Sequence, residues 1–500
     1  MNKVFKNTGS NLMVMMLKLA ITLVMTPIFI HNLGNYDYGI WEIVGAILGY
    51  MGLLDVGLKP AITRFSAKYK AENKIAELHE LYSTSFVFLI CIGVVSLIVF
   101  ICCGLWGAEH IAPNDSTDVY TYSLLLFIIG LRLLISFPGF VAESFLEGFQ
   151  QYYIKNNITI VNSVVSAVIV FSMITPTNAL LLIASVSTIG LGIKYLAYFV
   201  ILSKAEFGRF IPRPRLARWN RFKETIHFGF KSFVQGVASR IEIGSDTLVI
   251  GFFLGPAMVP FYAIPANLFN YIRNIGWTTT HAFMPFFSDL AVKSSQIELR
   301  EAFVQYSKYV VALMLPLCAG AVLLGPVFIG LWIGQEYVEK APLIVAILVV
   351  YIALPFLNPF STRYLTAVNK HGYSAKVYTV AAISNLILSL ILVQIWGIEG
   401  VALGSLIPML VLVPVLMKYG FSSLELKFTH YFSRVILPVL PALMAMILGV
   451  SIYQMNVSIS SYLELVGAVS VGGLVYAVAF LFSGLSEQER SFLKNRFFAK

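Results

Sequence analysis

Runs of about twenty apolar residues recur along the chain from residue 10 to residue 482, parted by short polar breaks. That is the length an α-helix needs to cross the hydrocarbon core of a bilayer. The pattern predicts helices at 10–30, 38–58, 82–104, 120–142, 158–175 and 179–202. A second set follows at 224–251, 259–286, 306–333, 342–367, 374–395, 400–420, 434–453 and 462–482. The expected fold is therefore an all-α polytopic membrane protein of about fourteen transmembrane helices. The first span follows Lys3 and Lys6 as a signal peptide would. It is too long for such a segment, lacks an A-x-A-like cleavage site and runs straight into a second span, so it reads as a retained helix.

The stretch LGNYDYGIWEIVGAILGYMGLLDVGL, residues 33–58, shows the grammar of one hairpin. Leu33-Gly34-Asn35 supplies the outer turn, the apolar run forms the second helix, and a basic segment follows from Lys59. The same stretch has a partner further on. IFIHNLGNYDYGIWEIVGAIL (28–48) aligns without gaps on VIGFFLGPAMVPFYAIPANLF (249–269), offset by 221, with Leu33-Gly34 on Leu254-Gly255 and Trp41 on Tyr262. FPGFVAESFLEGFQQYYIKN (137–156) aligns on FLNPFSTRYLTAVNKHGYSA (356–375), offset by 219, with Leu146 on Leu365 and Gln150 on Asn369.

Two matches at nearly one offset, each at a span end, indicate an internal repeat. The offset corresponds to six helices, an even number, so both copies enter the membrane in the same sense. The expected organisation is a six-helix lobe over 1–210, a basic linker over 211–223, a second six-helix lobe over 224–420, and two extra helices with a tail over 421–500. Two parallel lobes form a transporter design, with substrate sites between repeats.

Composition fits this reading. Of the 500 residues 58% are hydrophobic and 12% charged, and the mean hydropathy is +0.81. A soluble domain carries about 25% charged residues. The net charge of +10 is unevenly placed. Loop 59–81 holds Lys59, Arg64, Lys68, Lys70 and Lys74; loop 203–223 holds Lys204, Arg209, Arg213, Arg215, Arg218, Arg221 and Lys223; the tail holds Arg490, Lys494, Arg496 and Lys500. Among the opposite loops Lys340 is the exception. The positive-inside rule then puts both termini in the cytoplasm. Topology and attraction to anionic lipid headgroups account for the basic run RFIPRPRLARWNRFK, so nucleic acid is not an expected partner.

Charges within spans cost about 2.5–3.5 kcal/mol each on insertion scales and so call for a reason. Arg132, Arg240, Glu242, Asp246 and Arg273 fall near span centres; Lys18, Lys194, Lys231, Lys308 and Arg363 lie within about two turns of the basic ends, where snorkelling is the competing explanation. Arg132 and Arg273 stand about 18 Å from either end, beyond the reach of a side chain, and must face a wet cavity or an acid. Glu242 and Asp246, spaced i, i+4, share a helix face, with Arg273 on the next helix as a partner. They form either a buried ion pair or a polar cavity wall. Glu42, one turn inside the outer face, and Asp55, near Lys59 and Arg64, are further acids for coupling or pairing.

Enzymatic and metal chemistry find little footing. The four cysteines lie in or beside apolar spans, the seven histidines are scattered, and neither a nucleotide-binding glycine motif nor a nucleophile elbow occurs. No cofactor, metal or catalytic residue is expected. A membrane glycosyltransferase or O-antigen polymerase would carry a large outer loop or an acidic catalytic motif, whereas the longest outer segment here is 105–119.

The run LGNYDYGIWEIVGAILGYMGLLDVGLKPAITRFSAKY, with SDTLVIGFFLGPAMVPFYAIPANL, resembles the O-antigen flippases of the polysaccharide biosynthesis family. These belong to the multidrug/oligosaccharidyl-lipid/polysaccharide exporter superfamily. The resemblance implies alternating access and carriage of an undecaprenyl-pyrophosphate-linked oligosaccharide, an O-antigen or capsule repeat unit, across the bacterial inner membrane. Glycosyltransferases and the O-antigen polymerase would be its neighbours. It also implies a cationic cavity for the pyrophosphate, for which Arg132, Arg273, Lys18, Lys194, Arg240 and Arg363 are the candidates. Ion antiport would need a titrating acid, for which Glu242 and Asp246 stand first. A lipid II flippase or a drug/cation antiporter of the same superfamily is the alternative; deep Arg132 favours an anionic cargo over a cationic one.

Overall fold

The computed structural model describes residues 2–111, 116–204, 207–368, 370–487 and 489–491. By compactness the chain divides into two units, Met1–Arg240 and Ile241–Lys500. The division falls inside a helix, beyond the linker segment expected over 211–223.

The first unit is built from α1 (Asn2–Met51), α2 (Leu58–Ala71), α3 (Ile75–Trp106), α4 (Ala108–Ile111), α5 (Ser116–Gly148), α6 (Tyr152–Met173), α7 (Ala179–Leu202) and the first part of α8 (Trp219–Phe253). α1 is two helices joined at Gly34, whose φ of 68° and ψ of 177° only glycine adopts without strain. The Leu33-Gly34-Asn35 turn therefore lies where the pattern puts it.

The second unit continues with α9 (Val259–Ala282), α10 (Met284–Lys293), α11 (Gln296–Trp332), α12 (Glu336–Glu339), α13 (Ile344–Ala353) and α14 (Ser361–Ala367). It closes with α15 (His371–Ser423), α16 (Phe428–Tyr431), α17 (Leu440–Asn456) and α18 (Tyr462–Ser483). α15 is again a double helix, broken at Gly397 (φ 59°) between the spans expected at 374–395 and 400–420.

Among the described residues eight helices are long and apolar enough to cross a membrane, two of them being the doubled α1 and α15. Two further crossings are pairs bent by 43°, Ile344–Leu357 with Ser361–Ala367 and Phe428–Ile436 with Leu440–Asn456. α8 and α9, at 35 and 24 residues, are long enough to span but too polar to register as apolar. Among the described residues, counting α1 and α15 twice each and adding the two bent pairs, α8 and α9 gives fourteen, the number the sequence pattern leads one to expect. The side chains agree: on α6, Val161, Val168 and Phe171 are about 60% exposed, a placement that lipid satisfies and water would penalise.

The repeat has a local structural signature in each unit. Gly255, aligned with Gly34, adopts the same kind of backbone, φ 87° and ψ 160° against φ 68° and ψ 177°. After α5 the N–H of Gln151 donates to the carbonyl of Leu146 at 2.8 Å; after α14 the N–H of Lys370 donates to that of Leu365 at 2.7 Å. Both leucines are fully buried. Asn369, aligned with Gln150, lies outside the described residues.

Two segments differ from the pattern's expectation. The basic run expected as a loop over 59–81 is largely α2, an amphipathic helix burying Leu58, Ile62, Phe65 and Tyr69. The segment after α7 is packed rather than free: Phe210 is buried against Tyr82, Phe145 and Phe149, and the N–H groups of Arg213 and Arg218 donate to Ser83 and Thr84 hydroxyls at 3.2 and 3.0 Å. Arg221 then joins Glu80 and Glu224, each at 3.0 Å, and the Tyr69 hydroxyl at 2.9 Å. Burial pushes that phenol up to about 12, and it stays protonated to donate to Glu224 at 3.2 Å.

Candidate functional site

The end of α5 and the start of α6 set the geometry of a charged cluster in the first unit. Glu143 and Glu147, at i and i+4, share one face of the last turns of α5. The chain reverses through Gln150, which takes a left-handed φ of 57°, and Lys155 comes back on the first turn of α6. Its Nζ lies 2.7 Å from Glu147 Oε1 and 3.8 Å from Glu143 Oε1.

Lys59 arrives from a different direction. Asp55 accepts the N–H groups of Gly57 and Lys59 at 2.8 and 3.4 Å, satisfying donors at the open N-terminus of α2. α2 then lies directly on α5. A Cβ at Gly148 would sit 2.7 Å from the Thr63 carbonyl oxygen and 2.0 Å from Ser66 Oγ, so only glycine permits the approach. The result is a 3.2 Å contact between Lys59 Nζ and Glu143 Oε2.

Lys194, on α7, extends over the rings of Tyr195 and Tyr198 at 4.4 and 5.9 Å. It lies in electrostatic reach of Glu143, Lys59, Arg132 and Lys18. Arg132 stands at mid-length of α5, about 24 Å from either end at 1.5 Å per residue. Its Nη1 donates to Ser187 Oγ at 3.0 Å. Five cations, Lys18, Lys59, Arg132, Lys155 and Lys194, thus face two carboxylates, a surplus of three positive charges.

Three expected residues, Lys18, Arg132 and Lys194, therefore meet in one place. Four partners were not among the candidates: Lys59 belongs to the expected basic loop, and Glu143, Glu147 and Lys155 fall between the spans expected at 120–142 and 158–175. A signal was present in the repeat itself, since their aligned positions in the second copy are Thr362, Thr366 and Ser374. The other candidates have contacts of their own. Arg240 is exposed, with Nη1 against Gly49. Glu42 is half-buried on the second arm of α1. Asp55 caps α2, as described.

In the second unit Arg273 is buried on α9 with its guanidinium 5.0 Å from the Trp277 ring. Arg363 lies on α14 in electrostatic reach of His281 and Tyr378. Asp246, on α8, is 4% exposed. It accepts hydrogen bonds from the Tyr262 hydroxyl and, at 2.8 Å, from Ser405 Oγ. Asn385 Nδ2 donates to Ser405 at 2.6 Å, extending the network to a small pocket lined also by Tyr351 and Tyr378. These hydroxyl groups, and not Arg273, hold the carboxylate. The side chain of Glu242 lies outside the described residues.

Comparison with known proteins fits this architecture. The profile described as polysaccharide biosynthesis protein matches residues 4–291, more than half of the chain. The chain belongs to the polysaccharide biosynthesis protein family. Within reach of that family is a Shigella flexneri protein named "Putative O-antigen transporter", 24% identical over 80% of this chain and 93% of its own length. A Bacillus subtilis protein, "Uncharacterized membrane protein EpsK", is 21% identical over 98% and 97%. Among solved structures the fold is similar to lipid II flippase MurJ in an inward closed conformation, with a TM-score of 0.70, 15% identity and 99% of each chain covered. An inward-facing multidrug resistance MATE transporter is similar at a TM-score of 0.61, 13% identity and coverage of 81% and 94%. This member of the polysaccharide biosynthesis family is thus a multi-pass membrane protein with a transporter fold.

Proposed function

We propose that the chain is a flippase that moves a polyprenyl-pyrophosphate-linked oligosaccharide, an O-antigen or capsule repeat unit, from the cytoplasmic to the periplasmic leaflet of a bacterial inner membrane by alternating access. The observation that carries this reading is the surplus of cations around Glu143 in the first unit. A diphosphate loses water on entering the bilayer zone, and guanidinium and ammonium donors replace those bonds with charge-assisted ones. In this reading Lys59, Lys155 and Lys194 receive the pyrophosphate around Glu143, and Arg132 and Lys18 add positive charge within electrostatic reach of Lys194.

Export of a negative headgroup from an inside-negative cell is downhill by about 2.3 kcal/mol per charge per 100 mV. Asp246 is the acid for ion coupling in this reading. It is buried, and the hydroxyls and amide around it can accommodate either protonation state or a small cation. A drug/cation antiporter would call for a net acidic first unit, and the charge surplus opposes that.

The test is surface polysaccharide in cells carrying Arg132→Ala or Lys194→Ala, with membrane abundance measured in parallel. Loss of polysaccharide at normal abundance is the expected result. Normal polysaccharide in both variants would sink the cationic site.

A further inference from the structure

We propose that Glu143 is an internal competitor for the cargo's pyrophosphate: while the site is empty it pairs with Lys59 and offsets the charge of Lys194, and it yields both to the diphosphate when that enters. The inference rests on the cationic-site reading above and adds a means of release to it.

Ammonium groups among membrane-spanning helices need an anion nearby. Lys155 has one of its own in Glu147, at 2.7 Å, and leans on Glu143 only at 3.8 Å. Lys59 is different: the ion pair it forms among the described residues is the one with Glu143, at 3.2 Å. Lys194 has no carboxylate oxygen within 4.0 Å among the described residues, and Glu143 is the foremost of the charges acting on it. One carboxylate, with 14% of its side chain exposed, is therefore shared among three lysines and satisfies none of them fully.

A diphosphate brings more charge and more acceptor oxygens to the same donors. Once it takes Lys59 and Lys194, Glu143 is left beside a bound anion with Lys155 and the Tyr195 hydroxyl as its partners. The like charge then lowers affinity, which lets a headgroup drawn in by five cations leave again. A site of cations alone would hold its cargo. The competing idea is that Glu143 merely clamps α2 to α5, and it predicts the opposite sign: removing the carboxylate would loosen the site and weaken binding.

The experiment measures binding of inorganic pyrophosphate and of farnesyl pyrophosphate to the full chain in nanodiscs by calorimetry. Glu143→Gln is expected to bind both probes about tenfold more tightly, as a like charge is removed from close range, while exporting less polysaccharide in cells. Glu143→Asp, which keeps the charge, should bind as the parent does. A second pair, Lys59→Gln against Lys59→Gln/Glu143→Gln, repeats the comparison in a background where the ion pair is already gone and Glu143 is not needed as a clamp. The double variant should bind more tightly than the single. Binding by the parent that is unchanged or weakened by Glu143→Gln in both backgrounds overturns the competitor role and leaves the cationic site standing. Binding of neither probe by any variant overturns both.

Discussion

The connection after α5 in the first unit carries Glu143, Glu147, Gly148 and Lys155; the aligned connection in the second unit carries Thr362, Thr366, Ala367 and Ser374. The backbone is alike in both, with the same hydrogen bond back to a buried leucine. The chemistry is not. In the first unit α2 is drawn against α5 at a glycine, and lysines gather around a carboxylate. In the second the Thr366 hydroxyl simply donates to the carbonyl of Thr362 at 2.8 Å, Ser374 is buried, and the buried acid Asp246 sits among hydroxyls and an amide. The two aligned connections thus share a backbone and differ in side chains, and the function proposed above assigns the charge in the first unit to an anionic headgroup and the buried carboxylate in the second to coupling.

The largest effects that could break this division come from removing charge on one side only. Arg132→Ala and Lys194→Ala should each abolish export, while Thr362→Ala and Thr366→Ala, at positions aligned with the two glutamates, leave it near the parent level. Quantifying surface polysaccharide across the four variants checks the contrast, and equal losses in both units would erase it. Asp246→Asn comes next. It should uncouple export from an imposed ion gradient in proteoliposomes yet leave pyrophosphate affinity unchanged, because its contacts lie with Tyr262, Ser405 and Asn385. A fall in affinity would mean that the two units do not separate binding from coupling.

Gly148→Ala is of intermediate size. A Cβ there meets the Thr63 carbonyl, so α2 must shift off α5 at a cost of about 1–3 kcal/mol, and Lys59 moves away from Glu143. Thermal stability should fall, and pyrophosphate binding should weaken with it. The aligned residue in the second unit is already alanine, so Ala367→Gly should cost no more than the helix propensity difference of about 1 kcal/mol. Unfolding midpoints for the two variants measure the asymmetry directly.

These contrasts also mark how much of the molecule was legible in the chain. Span lengths and loop charge revealed the helices because lipid imposes length and hydropathy on every crossing. Gly34 and Gly255 were visible as turns because only glycine takes that backbone readily, and their common spacing exposed the repeat. Arg132 stood out because no charge at mid-helix can reach water. Lys59, Glu143, Glu147 and Lys155 did not, since each lies at a helix end where solvation is the ordinary explanation. Their meeting depends on how α2 packs on α5, a contact between residues far apart in sequence. Asp246 was visible as a buried acid, but its partners Tyr262 and Ser405 are neutral, and a search for a countercharge led to Arg273 instead.

The smallest effect concerns the segment after α18, where the second unit has an anchor outside the repeat. Lys308 on α11 is buried, and its Nζ donates to both carboxylate oxygens of Glu489 at 2.7 and 2.8 Å. Tyr309 and the N–H of Ser486 donate to the same group. Burial pushes this carboxyl up, but the bonds from Lys308, Tyr309 and Ser486 outweigh it and hold the group at about 2, against an ordinary 4.5. A carboxyl with a depressed folded value contributes its full stability above pH 4.5 and loses it as the pH falls towards 2. Protection of the Ser486–Ser491 amides from hydrogen exchange should therefore be flat from pH 7 to 5 and decline below that, once the intrinsic pH dependence is removed. Because the group is only partly buried, solvent screening keeps the effect small. Glu489→Gln should abolish the decline and show low protection throughout, with export changed little, since its contacts are with Lys308, Tyr309 and Ser486.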